Sequence, residues 1–228
     1  MLGGVPFSEI VYALVAALLL DLSTASYFIL TSVAFILIYS ITEKTFLIKC
    51  CHALNYFFIF LISLISFGEI SLYQEWRTKL NIQALLHFEN PIEVFSSASW
   101  TLVLLFIIPL VLFTFVYIKV YRKIVIPYFI TTNTQEIKKK ITNVLLCFAL
   151  LPVLFVFIRG GFQRFPISES DPIYSKHQSL NDAAINSTRF LIKDIIDYTY
   201  SLRENPTQYM DEEKAKSILA DFYKTKKD

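Results

Sequence analysis

Glycine is scarce in this sequence, at 5 of 228 residues, and so are cysteine and histidine, with 3 of each. No P-loop and no GxSxG nucleophile elbow is present, which removes two chemistries that need glycine at fixed steps. His52, His87 and His177 lie far apart without HExxH spacing, so each reads as a surface or interfacial side chain rather than a metal ligand. Cys50, Cys51 and Cys147 sit in or beside apolar runs with no CxxC spacing and read as small apolar fillers. Charge is thin as well: 18% of residues are Asp, Glu, Lys or Arg, against roughly 25% in soluble domains. The net charge of +2 gives no argument for nucleic acid as a partner. No catalytic constellation is present, and no cofactor is expected in this chain.

Apolar residues are what the sequence has in excess, at 55%, including 21 Phe and 13 Tyr. They gather in runs close to the roughly 20 residues that cross a bilayer, well beyond the length of a buried strand. Spans are predicted at about 7–20, 25–41, 50–70, 100–121 and 141–158. Asp21-Leu22-Ser23-Thr24 separates the first two. A single helix from Ile10 to Ile41 would be about 48 Å long, too long for a hydrocarbon core of about 30 Å, so a tight polar turn is expected there. The predicted fold class is all-α, a polytopic membrane bundle of about five transmembrane helices followed by a helical extracytoplasmic stalk. The transmembrane domain covers 1–159 and the stalk 160–228.

Lys and Arg resist translocation and accumulate on the cytoplasmic side. Lys44, Lys49, Lys119, Arg122, Lys123, Lys138, Lys139 and Lys140 fall in two connections, whereas the connection from Ser71 to Ser97 has only Arg77 and Lys79 against Glu75, Glu89 and Glu93. The N-terminus is therefore predicted inside and the C-terminus outside; a single first span would move the N-terminus outside and leave the C-terminus where it is. Pro109 and Pro152 fall within spans and read as packing kinks. Glu69, at the outer end of the third span, reads as a solvated, snorkelled carboxylate. Arg77, Lys79, Arg159 and Arg164 are the candidates for pairing with a lipid phosphate at the outer interface, and Trp76 and Trp100 for aromatic anchors.

After Arg159 no run of spanning length remains, and Gly160, Gly161, Pro166 and Pro172 interrupt regular structure. Asn181 is placed to cap a helix through about Arg203, with Leu191, Ile195, Tyr198 and Leu202 on one face. Pro206-Thr207 opens a second helix with a stripe of Ala215, Ile218, Leu219 and Phe222. Asn186-Ser187-Thr188 matches a glycosylation sequon, a triplet that also arises by chance.

Three segments, in order, carry a likeness to a known family: Asp21 to Tyr27; Glu75 to Asn81 running through Ala84-Leu85 to Asn90-Pro-Ile-Glu-Val94 and Ser97; and Arg159-Gly-Gly-Phe-Gln163 with Pro166-Ile167, Asn181 and Ala184 to Asn186. Together they resemble the N-terminal membrane region of the lipoteichoic acid synthase and sulfatase-like family, over essentially the whole chain from about Asp21. Many members have Gly where this sequence has Arg77. The resemblance implies a five-span protein of the bacterial cytoplasmic membrane whose catalytic domain, of the alkaline-phosphatase-like fold, lies outside the membrane and holds a divalent metal. In the family that domain transfers phosphoglycerol from phosphatidylglycerol or cleaves a related ester. None of its metal or catalytic positions maps onto these residues, so the chain is expected to supply anchoring and a lipid-facing surface, with the lipid bilayer, an anionic phospholipid such as phosphatidylglycerol and the downstream domain as partners. Two alternatives come from other classes: a small transporter-like bundle, and a scaffold whose stalk recruits a soluble partner. The first would show paired broken helices or polar residues in mid-span, and only Asn55 and Asn143 stand out.

Overall fold

The structure, a computed structural model, describes residues 5–87, 100–129, 137–203 and 210–224. Every regular element among them is helical: α1 (Phe7–Thr42), α2 (Thr45–Trp76), α3 (Ile82–Leu86), α4 (Trp100–Ile124), α5 (Ile126–Phe129), α6 (Ile137–Arg159), α7 (Gln178–Ala184), α8 (Ser187–Arg203) and α9 (Glu212–Lys224). Of these, α1, α2, α4 and α6 are long and apolar enough to cross a membrane. Leu104, Leu105, Ile108, Val111 and Leu112 of α4 are all exposed in the isolated chain. Such a surface belongs against acyl chains rather than water. The chain is built as an all-α membrane protein with four candidate spans.

The predicted turn at 21–24 is absent, which corrects both the first hairpin and the count of five spans. α1 runs unbroken for 36 residues. Its polar tetrad contains no Gly or Pro, and the hydroxyls in and beside it find helix carbonyls as acceptors. Thr24 Oγ1 donates to Leu20 O at 2.8 Å and Ser26 Oγ to Leu22 O at 2.7 Å, while Ser23 Oγ crosses to Ile158 O of α6 at 2.7 Å. Back-bonding of this kind conceals a hydroxyl from hydrocarbon while the backbone ladder stays intact. Asp21 is exposed and pairs with Asn186.

One continuous α1 also changes which ends lie together. Tyr174 Oη donates to Glu9 O at 2.5 Å and Ser175 Oγ to Glu9 Oε2 at 2.9 Å, so the start of α1 shares an end of the bundle with the segment after α6. At the opposite end Lys140 pairs with Glu43. The start of α1 and the segment after α6 thus lie at one end of the bundle, whereas the sequence reading puts them at opposite ends; an even number of candidate spans, four, accounts for the difference.

Small residues let α1 and its neighbours approach closely. Ala13, Ala17, Ser23, Ser26 and Ser40 are buried along α1, the composition favoured where packing rather than water exclusion drives helix association. Val33, Cys147 and Leu154 form a core between α1 and α6, flanked by Leu30, Ile36, Leu37 and Leu151. Asn55 of α2 exchanges hydrogen bonds of 3.0 and 3.1 Å with Ser32 of α1 and donates to Cys51 O at 2.9 Å. Phe67 meets Phe113 edge-on at 5.0 Å, and His52 Nδ1 lies 2.7 Å from Tyr121 Oη, which ties α2 to α4. Both proline-bearing spans remain single helices, with Pro109 inside α4 and Pro152 inside α6.

The chain divides into two compact units, Met1–Leu191 and Ile192–Asp228. In the second, α9 leaves Ile218, Leu219 and Phe222 of the predicted stripe exposed. The predicted opening at Pro206-Thr207 lies outside the described residues, and α9 begins at Glu212.

Candidate functional site

At the Arg159 end of the bundle, three stretches far apart in sequence close into one polar cluster. Lys79 lies just past α2, in the turn Arg77–Asn81 that α3 follows, and Asn81 stops that turn by accepting from Ala84 N at 3.0 Å. The Lys79 ammonium reaches back to Glu69 Oε1 at 2.6 Å and donates to Asp182 O and Ile185 O, each at 3.0 Å. Its three protons thus have three acceptors, and it lies 5.7 Å from the centre of the Phe190 ring. Ser187 Oγ also donates to Glu69 Oε1, at 2.9 Å, whereas Glu69 Oε2 is buried with no partner among the described residues. Tyr73 Oη adds a bond to Asp182 Oδ2 at 2.9 Å.

A second cation, Arg189, holds the other side. Its backbone N–H donates to Asn186 Oδ1 at 3.0 Å, so Asn186, rather than the predicted Asn181, caps α8. The guanidinium bonds Glu169 Oε1 at 3.0 Å, Ile167 O at 2.7 Å and Ser23 Oγ at 2.9 Å, joining the loop after α6 to α1. Asn186 Nδ2 donates to Asp21 Oδ1 at 2.6 Å. Asn181 instead pins the preceding loop: its Oδ1 accepts from Tyr174 N and Ser175 N, and its Nδ2 donates to Ser175 O. Leu20, Ile167 and Ile185, with Phe190 against them, supply the apolar floor.

The predicted site residues do not form one set. Lys79 is 5% exposed and fully bonded, so it faces protein and not a headgroup. Glu69 is likewise ion-paired rather than snorkelled. Arg159 is half-buried and turns onto its own loop, with Nη2 donating to Gln163 O at 3.1 Å and Arg164 O at 2.7 Å. Arg164 is exposed and lies over the Phe165 ring at 5.5 Å. Arg77 is exposed and ends α2 in a left-handed conformation, φ 55°. Trp76 is half-exposed and meets His87 edge-on at 5.2 Å, and Trp100 opens α4 with 83% of its surface exposed. Glu89, Glu93, Ser97 and the Asn90–Val94 block lie outside the described residues.

Tyr73, Glu169, Asp182 and Arg189 escaped the sequence reading. Tyr73 sits near the end of α2, Glu169 in the loop after α6, Asp182 on α7 and Arg189 on α8, and the bonds that join them across the cluster span 20 to 166 positions, as Arg189–Glu169 and Arg189–Ser23 illustrate. Outside the spans, Tyr174 has its phenol pushed above the ordinary range by partial burial and by the Glu9 carboxylate. Among the described residues no group of three His, Cys, Asp or Glu side chains is placed to hold a metal ion. The cluster pairs its cations internally, so its chemistry is that of a clasp. No family model, curated protein or solved structure matches this chain.

Proposed function

We propose that the chain is the membrane-anchoring, lipid-facing base of a lipoteichoic acid synthase-like phosphoglycerol transferase or sulfatase-family enzyme, working at the outer face of the bacterial cytoplasmic membrane. One observation supports this above the rest. The described parts of the three segments that carry the family likeness meet in space: Asp21 and Ser23 from the first bond Asn186 and Arg189 at the third, and Lys79 from the second bonds the carbonyls of Asp182 and Ile185. A likeness whose blocks converge on one junction is what a shared architecture would leave in a sequence.

The physical logic is confinement. A lipid donor keeps its headgroup at the interface, and tethering an enzyme there raises the effective concentration of the two partners without any new contact. In this reading the lysine-rich Lys140 end faces the cytosol, following the positive-inside rule, and the clasp lies outside. Catalysis belongs to an alkaline-phosphatase-like domain encoded after Asp228, with its divalent metal. A transporter would keep mid-span polar groups for its solute, whereas Asn55 bonds Ser32 and its own helix.

The reading frame beyond Asp228 tests the enzyme assignment: several hundred residues with an acidic metal cluster are expected, and a stop codon with no partner gene for such a domain overturns it. Topology is tested separately by reporters fused before Phe7 and after Asp228. Both are expected outside, and an N-terminal reporter active in the cytosol sinks the four-span arrangement.

A further inference from the structure

The loop that follows α6 is built in a way that the clasp does not require. Gly160 and Gly161 take φ values of 82° and 119°, and a Cβ on Gly160 would lie 2.4 Å from Ile167 Cβ, so only glycine lets the chain turn back here. Ile167 N–H then closes the loop on Arg159 O at 2.9 Å. Arg159 braces it from below through the carbonyls of Gln163 and Arg164. The result is a fixed loop, 160–166, whose side chains point away from the protein: Phe162 is 92% exposed and Phe165 70% exposed, with Arg164 lying over Phe165.

Two bare phenylalanines on a braced loop need an apolar neighbour, and chain continuity says which one. α6 is a candidate span that ends at Arg159, and Phe162, three residues on, can be no more than about 11 Å from that end. A headgroup layer is about 5–7 Å deep on each face, and a chain that turns back at Gly160 and Gly161 stays well short of its extended reach, which keeps Phe162 near that layer. Aromatic rings prefer this layer, and an arginine beside them meets lipid phosphates there.

We propose that the 160–166 loop is a lipid-contacting finger: Phe162 and Phe165 enter the headgroup region, and Arg164 binds the phosphate of an anionic phospholipid. Arg159 is its positioning residue and not its ligand. The inference rests on the membrane-anchor reading only in requiring that α6 cross the bilayer.

The test uses the full chain, with Cys50, Cys51 and Cys147 replaced, in vesicles of phosphatidylcholine with or without one-third phosphatidylglycerol. An environment-sensitive dye is attached at Gln163→Cys on the loop or, in a second sample, at Leu105→Cys on α4. The loop dye is expected to be quenched by lipid brominated near the headgroup and shielded several-fold from aqueous iodide, more so with phosphatidylglycerol. Arg164→Gln should abolish that extra shielding, and Phe162→Asn with Phe165→Asn should return the dye to water. A loop dye open to iodide while the α4 dye stays quenched by bromolipid overturns the finger and leaves the anchor standing. If both dyes are open to iodide, the anchor falls with it. An Arg164→Gln protein that keeps the full phosphatidylglycerol effect removes the anionic headgroup from the proposal.

Discussion

The two ends of the bundle use charge in opposite ways. At the Arg159 end, Lys79 and Glu69 pair with side chains only 4% and 13% exposed, and Arg189 and Glu169 pair at 20% and 13%. Each cation also bonds backbone carbonyl oxygen, two for Lys79 and one for Arg189, so its position is fixed from several sides. At the other end Lys140 and Glu43 are 30% and 51% exposed, while Lys44 and Lys123 are exposed as well. There the pair is largely solvated, and its geometry constrains the fold little. A buried polar contact that fixes shape and a solvated charge that does not are different devices, and substitution should separate them.

The largest effect is expected where a buried partner is orphaned. Lys79→Met should cost about 3–5 kcal/mol, because Glu69 would stay buried without its counter-charge. Thermal unfolding of the detergent-solubilised chain measures it, and adding Glu69→Leu should recover most of the loss. A Lys79→Met protein as stable as the parent would erase the contrast between the two ends. Next comes Gly160→Ala, expected to cost about 1–3 kcal/mol from the left-handed backbone alone, with the Ile167 contact adding to it. Proteolysis at 160–166 should accelerate in that variant. Lys140→Gln, by comparison, should change stability by less than about 1 kcal/mol, as for other exposed pairs. Its expected signature is instead a larger fraction of inverted molecules when neighbouring lysines are removed too, read by thiol labelling from either side.

The smallest effect is a pH dependence at the clasp. In the folded chain Tyr174 holds its proton above the ordinary phenol range, so the folded state binds more protons than the unfolded once pH passes about 10. Stability from this group is therefore complete below that value and declines as pH rises through the folded pKa. Melting temperatures between neutral and strongly alkaline pH should fall less steeply for Tyr174→Phe than for the parent. Equal slopes would mean that the phenol contributes nothing there.

How legible these features were in the sequence depended on how local their causes are. The spans of α4 and α6 were predicted at 100–121 and 141–158 and occur at Trp100–Ile124 and Ile137–Arg159, since an unbroken apolar run reports itself. Asp21-Leu22-Ser23-Thr24 misled because polarity alone does not distinguish a turn from hydroxyls bonded back onto their helix. Lys79 was misplaced for a different reason. Near an interface a lysine faces either lipid phosphate or protein, and the carbonyls that decide it come from Asp182 and Ile185, more than a hundred residues along the chain. Arg77 ends α2 at a left-handed φ of 55°, the conformation that glycine adopts there without strain, and nothing in its own residue type announces it.

The unbroken length of α1 has a mechanical meaning. At about 54 Å by its rise per residue, the 36-residue rod exceeds a hydrocarbon core of about 30 Å, so it must tilt, protrude or both. Its Thr42 half is gripped by α6, and its Phe7 half carries the bonds to Tyr174, Ser175, Asn186 and Arg189. A thinner bilayer that leans the rod would therefore swing everything fastened to its far arm, making the local depth of the membrane a lever on whatever the clasp holds in place.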